Sequence, residues 1–587
     1  MRYLRVATTR ARLSQWGALF SLAFVLLAGR LVYLQLIRHG FYEGLAVRYQ
    51  WHNEEIPPPR GAIYDRNGSL LATVGELQTV FADPALIDDP QAAAARLAPL
   101  LDTDRARLMT RLASDRRFVV LKRFVPETEA QRFRALDLIG VRTLPVQARV
   151  YPHGRLAAHL LGKVDWRQRG ISGIERAFDD LLHGTAGRVQ GEVDARRRPI
   201  PGTARTTEEA VPGGTLALTI DSVLQGIAEE ELRKKVEETH ARGGMVVMLE
   251  PRTGDILALA CLPDFDPNRL AGEPPEVMVN QAVSNTFEPG STFKLVTLTA
   301  ALLDGMSLDT FITTCHAEAM VGGRRVQCRP VKHKGGHGRI NLRSMVVESC
   351  NIAAAQLAVR LGPEKMWRAA RLLGFGASTH SGLPWESTAP MDDWTKWIPV
   401  RTANVGFGQG IAVTGMQLVR AYSVVANGGL LVQPRVMHHA TRPDGTMLDG
   451  AIESRRVLPP QIAKQLRAVF TAVVSEGTGH AAKMEGILVG GKTGTAQKQE
   501  ATGGYSKSAV RASFVGFVPA GDPQLSMLVV VDEPHGQQYG GEVAAPVFKA
   551  IAQRALLYLG VAPPGAFALR AQGTGQTASL TATAPPR

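Results

Sequence analysis

Glu288-Pro289-Gly290-Ser291-Thr292-Phe293-Lys294 is the stretch on which the reading of this chain turns. A serine hydroxyl is a poor nucleophile at neutral pH and needs a base within hydrogen-bond reach to take its proton. At a spacing of i, i+3 along a helix, Ser291 and Lys294 share one face. Pro289-Gly290 reads as the break from which that helix starts, so the serine falls in its first turn. There the unpaired amides and the positive end of the helix dipole favour developing negative charge. The Ser291 amide is therefore a candidate for half of an oxyanion hole.

Two further motifs come after it in order. Ser349-Cys350-Asn351 sets a hydroxyl and an amide two residues apart, so that on an extended or turn segment they point the same way and Cys350 points elsewhere. Ser349 reads as a proton relay and Asn351 as the holder of a peptide carbonyl. Lys492-Thr493-Gly494-Thr495 succeeds the apolar run Ile487-Leu488-Val489 and predicts a strand whose glycine lets another backbone approach closely. An extended peptide would bind there by adding to a sheet edge. Lys492 and the two threonine hydroxyls suit a substrate carboxylate, and the Thr495 amide is the candidate second oxyanion donor. Each motif alone is common by chance; their order and flanks carry the reading.

In that order the set resembles the penicillin-binding proteins and serine beta-lactamases, which share a Ser-x-x-Lys, Ser-Asp-Asn and Lys-Thr-Gly trio. Cys350 stands where that version has Asp, a variant associated with transpeptidases more than with lactamases. Arg60-Gly61-Ala62-Ile63-Tyr64-Asp65-Arg66-Asn67-Gly68, preceded by Pro57-Pro58-Pro59, predicts a strand leading into an Asn-Gly turn. Taken by themselves these residues read as a structural hairpin and interdomain contact. They also match the start of the membrane-proximal pedestal of class B penicillin-binding proteins, and Arg149-Val150-Tyr151-Pro152, Gly173-Ile174-Glu175 with Phe178, and Gly184 with Gly187 match later parts of it. Phe407-Gly408-Gln409-Gly410 with Thr414, Asn427-Gly428-Gly429 and Tyr539-Gly540-Gly541 resemble the division-specific (FtsI-like) class. Cys315, Cys328 and Ser349-Cys350-Asn351 look more like sporulation and elongation relatives.

The N-terminus places this chemistry. Residues 16–37 are apolar apart from Ser21, Gln35 and Arg30, long enough as a helix to cross a bilayer core of roughly 30 Å. Arg2, Arg5, Arg10 and Arg12 precede that run, and the positive-inside rule keeps them in the cytoplasm. A cleaved signal peptide with Ala28-Gly29 as its site is the rival reading. The expected layout is a cytoplasmic tail over 1–15, a transmembrane anchor over 16–37, a pedestal over 38–212, a transpeptidase domain over 213–561 and a disordered tail over 562–587. The expected localisation is the cytoplasmic (inner) membrane, single-pass, with the catalytic domain outside.

The predicted fold class is α+β. Runs at 245–249, 256–260, 513–517 and 525–532 join the Lys-Thr-Gly strand in a five-stranded antiparallel sheet. Helices over 221–240 and 544–559 would cover one face, and residues from Ser291 to about 485 would build an all-helical subdomain. At 587 residues and 45% apolar composition the chain can bury more than one core. Its net charge of +14 is not gathered into one basic tract interleaved with aromatics, which argues against nucleic acid as a partner and for an anionic wall or membrane surface.

Four cysteines allow at most two disulfides. Cys315 and Cys328 flank a Gly322-Gly323 turn; a hairpin disulfide, free thiols, or a zinc site with His333 and His337 are the alternatives, although paired Cys-x-x-Cys spacing is missing. Cys261 and Cys350 read as buried thiols. No cofactor is expected for the chemistry.

The resemblance implies two-step acyl transfer. Ser291, deprotonated by Lys294, would attack a D-alanyl-D-alanine stem peptide, Ser349 would protonate the leaving amine, and an amine from a neighbouring stem would resolve the acyl-enzyme into a cross-link. Beta-lactams would acylate the same serine. A membrane glycan polymerase of the division or elongation machinery is the implied partner. A D,D-carboxypeptidase, a beta-lactamase with Glu386 activating water, and a lactam-binding sensor or scaffold are the rivals.

Overall fold

The computed structural model describes residues 2–194, 200–269, 273–328, 335–499 and 504–561. The chain forms two compact units, one made of the residues up to Pro59 with Gly184–Pro212, the other of Arg60–His183 with the chain from Gly213 onward. The tail expected over 562–587 lies outside the described residues.

In the first unit the helix Arg2–Val32 runs on through a π-helical turn, Tyr33–Ile37. Its Arg10–Ile37 span is long and apolar enough to cross a membrane, and none of it is buried against protein. Phe24, for instance, is 70% exposed, the kind of surface that a hydrocarbon core would cover. After the helix His39–Gln50 comes a three-stranded antiparallel sheet with Gly187–Glu192 between Trp51–Ile56 and Arg205–Glu208.

The second unit is organised by a five-stranded sheet in the order Ile256–Leu262, Gly243–Leu249, Leu525–Asp532, Tyr505–Val518, Gly490–Gln499, antiparallel throughout. Gly243–Leu249 and Ile256–Leu262 are buried along their whole length, which is why their sequences run apolar without alternation. Leu224 and Leu232 of helix Ser222–Glu238, with Val543, Phe548 and Ile551 of helix Gly540–Tyr558, belong to the core on one side. Leu295, Val296 and Leu298 of helix Lys294–Leu303 and the helix Gly415–Ala426 belong to the core on the other. Lys294–Leu303 is buried almost throughout, as a helix apolar on every face must be.

The subdomain expected to be all-helical differs in one respect. Helices Leu342–Val347, Asn351–Leu361, Pro363–Leu372 and Pro460–Ser475 are there, but so are short antiparallel pairs. Phe311–Cys315 pairs with Gly338–Asn341, Glu318–Val321 with Arg324–Gln327, and Leu430–Val432 with Ser454–Arg456. The second is a hairpin closed by Gly322 and Gly323 at φ 60° and 87°, the backbone that a two-residue turn requires and glycine adopts without steric cost.

A second sheet joins the Arg60–His183 segment to the chain beyond Gly213. Ile63–Tyr64 lies parallel to Thr215–Leu218, which pairs in turn with Met437–Thr441. The ladder therefore runs unbroken from Val119–Val125 through Leu70–Ala82 to Met447–Asp449. Three stretches far apart in sequence, around Arg60, Arg149 and Glu175, meet here. Arg60 Nε lies 2.7 Å from Glu175 Oε2, Arg149 Nε lies 2.5 Å from Oε1, and the Tyr151 hydroxyl donates to Oε1 at 3.2 Å. All four side chains are buried, so the two guanidiniums and the hydroxyl satisfy a carboxylate that has no access to water.

Candidate active site

The geometry around Ser291 begins at Gly290. Its φ is 54°, and its amide donates to the Gly408 carbonyl at 3.0 Å. Gly290–Phe293 is a 3-10 turn that leads into the α-helix Lys294–Leu303. In such a turn residues i and i+3 eclipse one another, and Lys294 Nζ stands 3.0 Å from Ser291 Oγ. Thr292 Oγ1 donates to the Pro289 carbonyl at 2.7 Å, and the buried Tyr422 hydroxyl donates to the Thr292 carbonyl at 2.9 Å. The turn is thereby fixed from both ends.

Lys294 is fully buried. Its Nζ also donates to the Ser349 carbonyl at 2.7 Å and to Asn351 Oδ1 at 2.8 Å, with Ser349 Oγ at 3.1 Å. Burial pushes the amine down to about 8, against the smaller opposing influence of Cys350 and Cys328. Ser349 has φ 59°, a left-handed conformation uncommon for serine and concentrated at functional turns. Cys350 then caps the helix Asn351–Leu361.

The Lys-Thr-Gly strand Gly490–Gln499 lies at the edge of the five-stranded sheet. Lys492 is fully buried, and its Nζ donates to the Thr493 carbonyl at 3.1 Å, with Thr493 Oγ1 at 3.2 Å and Thr478 Oγ1 at 3.4 Å. Burial first, and the Lys294 charge second, hold this amine well below the ordinary lysine range. Gly494 has no room for a side chain: a Cβ would sit 2.3 Å from Ser513 Oγ and 3.0 Å from the Pro289 carbonyl. Thr495 Oγ1 accepts from the Gly540 amide at 3.1 Å.

Ser291, Lys294, Ser349 and Asn351 thus form one hydrogen-bonded cluster, and Lys492 with Thr493 forms another on the neighbouring edge strand. Thr478, which touches Lys492 and Thr493, is a candidate that sequence reasoning misses; its only signal is the Gly477-Thr478-Gly479 punctuation before the strand. Glu386 lies in a different network. It accepts from the Thr379 amide at 2.5 Å and from the Ser381 amide and hydroxyl at 3.2 Å, so its carboxylate organises the 379–381 loop.

Cys315, Cys328, Cys350 and His337 bring their donor atoms within 4.8 Å of one another. None of the cysteines is disulfide-bonded. Of the four residues in the alternative zinc set, His333 lies outside the described residues; Cys350 is a buried free thiol, as expected, and its Sγ also lies within the group. Cys261 is apart from it, its thiol pushed up to about 12 by burial.

Residues 244–553 match the penicillin binding protein transpeptidase domain, and residues 55–218 match the penicillin-binding protein dimerisation domain. Stage V sporulation protein D of Bacillus subtilis is 36% identical over 553 residues, covering 92% of this chain and 85% of the relative. Peptidoglycan D,D-transpeptidase FtsI of Escherichia coli is 29% identical over 560 residues, covering 93% and 91%. Among solved structures, penicillin binding protein 3 of Mycobacterium tuberculosis complexed with aztreonam superposes with a TM-score of 0.67 at 27% identity, over 87% of this chain and 99% of that one. Motif order, site geometry and this extent of similarity lead to one conclusion: the chain belongs to the penicillin-binding protein transpeptidase family.

Proposed function

We propose that this protein is a membrane-anchored peptidoglycan D,D-transpeptidase in which Ser291 is the nucleophile and Lys294 its base. The 3.0 Å contact between Lys294 Nζ and Ser291 Oγ, made by a fully buried amine, carries the assignment. A neutral Lys294 accepts the serine proton as Oγ attacks the carbonyl carbon of the penultimate D-alanine. The backbone amides of Ser291 and Thr495 receive the oxyanion. The C–N bond then breaks, and the terminal D-alanine leaves with a proton relayed through Ser349. Lys492, Thr493 and Thr478 hold its carboxylate, whose arrival favours protonation of the buried Lys492 amine to the ammonium that pairs with it. Asn351 orients the peptide, and Gly494 lets the donor strand lie close to the nucleophile's turn. An acceptor amine attacks the ester, forms the cross-link and returns the proton to Ser291.

Cross-linking is favoured over hydrolysis because Glu386, the carboxylate considered as water activator, is held by the 379–381 loop. The arginines before residue 16 keep the N-terminus cytoplasmic, which places the catalytic domain on the outer side of the cytoplasmic membrane. The division septum is the proposed site of action, with a membrane glycan polymerase supplying strands. The test is intact mass after exposure to benzylpenicillin. The expected result is one persistent adduct that is absent in Ser291→Ala; an unmodified wild-type chain refutes the proposal. Midcell enrichment of a fluorescent fusion is expected for the septal role, and an even sidewall signal refutes it.

A further inference from the structure

We infer that Cys315, Cys328, Cys350 and His337 form a four-ligand zinc site that clamps the turn carrying Ser349 and Asn351. Cys328 Sγ and Cys350 Sγ are 3.6 Å apart, and Cys315 Sγ is 3.4 Å from His337 Nδ1. Tetrahedral zinc with Zn–S of about 2.3 Å and Zn–N of about 2.0–2.1 Å has ligand-to-ligand edges of about 3.8 Å for S to S and about 3.5 Å for S to N. Both separations match to within a few tenths of an ångström. The sulfur pair is far outside the roughly 2.05 Å of a disulfide.

The surroundings are those of metal-bound thiolates. Cys328 Sγ accepts from the amides of Asn351 at 3.1 Å and Ile352 at 3.4 Å, and Cys350 Sγ from the amide of Ala353 at 3.4 Å. These are the first amides of helix Asn351–Leu361, aimed at the sulfurs as second-layer donors that stabilise their negative charge. The three cysteines are at most 5% exposed. Three thiolates and an imidazole in a closed tetrahedron select zinc over harder cations, with the thiol protons released to solvent as the metal enters.

The ligands come from separate short elements. Cys315 ends Phe311–Cys315, Cys328 comes directly after the hairpin strand Arg324–Gln327, His337 precedes Gly338–Asn341, and Cys350 caps a helix. Hairpins this small bury little apolar surface, and a metal supplies the missing stability. Cys350 lies between Ser349 and Asn351, both of which touch Lys294 Nζ. The metal is therefore a positioning element for the base.

The test uses the full chain in detergent, purified with thiols reduced, loaded with zinc chloride and dialysed. About one zinc per chain is expected by elemental analysis in the wild type, Cys261→Ser and His337→Cys. Less than about a tenth of that is expected in His337→Ala and Cys315→Ala. Cobalt(II) exchanged into the wild type should give sulfur-to-metal charge-transfer bands, a readout that does not depend on any variant folding. The rate of acylation by a fluorescent penicillin should fall at least about fivefold when zinc is stripped or in His337→Ala, and recover in His337→Cys. A zinc-free wild type, a wild-type mass two hydrogens short, undiminished zinc in both alanine variants, or an acylation rate indifferent to zinc overturns the inference.

Discussion

Raising the pH from 7 to 9 should speed acylation of Ser291 about tenfold, with the rise centred near pH 8. The reacting form carries a neutral Lys294, so the protonated amine is the inhibited state and the rate climbs with pH. With the amine at about 8, about 9% of the chains are ready at pH 7 and about 91% at pH 9. A lysine with the ordinary value of about 10.4 would instead gain close to a hundredfold over the same interval and continue to climb. Lys492, Cys328 and Cys350 are the other ionisable groups that act on this pocket, and none of them donates to Ser291. The assay is the second-order rate constant for a fluorescent penicillin, measured by stopped flow at fixed ionic strength from pH 6 to 10. A flat profile between pH 7 and 9 would mean that Lys294 is not the base. A hundredfold rise would mean that burial does not tune it.

Gly494→Ala should fold yet acylate at least about tenfold more slowly, because the new Cβ is directed at Ser513 Oγ and the Pro289 carbonyl; normal labelling in a folded variant would dispose of the close-approach argument. Glu175→Gln removes the charge that two buried guanidiniums share and should cost roughly 3–5 kcal/mol, read as an earlier denaturant midpoint; an unchanged midpoint would show that the cluster contributes nothing net. Glu386→Gln should leave the lifetime of the penicillin adduct unchanged within about twofold while loosening the 379–381 loop, whereas a markedly longer-lived adduct would return Glu386 to the role of water activator.

Much of the site is legible in the sequence because its chemistry is local. Ser291 and Lys294 are three residues apart on a turn that Pro289-Gly290 announces, and Gly494 advertises a close approach wherever it is met. Thr478 carries no such signal; it matters only because the chain returns to set it beside Lys492 and Thr493. Cys350 escapes for the same reason. A buried thiol and a metal ligand differ by what three other segments bring to them. The left-handed Ser349 is equally hidden, since serine seldom adopts that backbone and nothing in the flanking residues demands it. In the fold, the buried strands of the central sheet can be read as apolar runs, whereas the Ile63–Tyr64 strand that joins the two sides of the second sheet is too short to leave a pattern.

The edge strand Gly490–Gln499 sets a limit on how this site can evolve. A strand edge offers its amides and carbonyls to any extended backbone and scarcely distinguishes side chains. Under the proposed mechanism a lactam and a stem peptide use the same row of donors, so a change that bars the drug by distorting the edge bars the substrate with it. Selective pressure from an inhibitor is then directed away from the strand and toward residues that govern how fast the serine turn reacts, where drug and peptide make different demands.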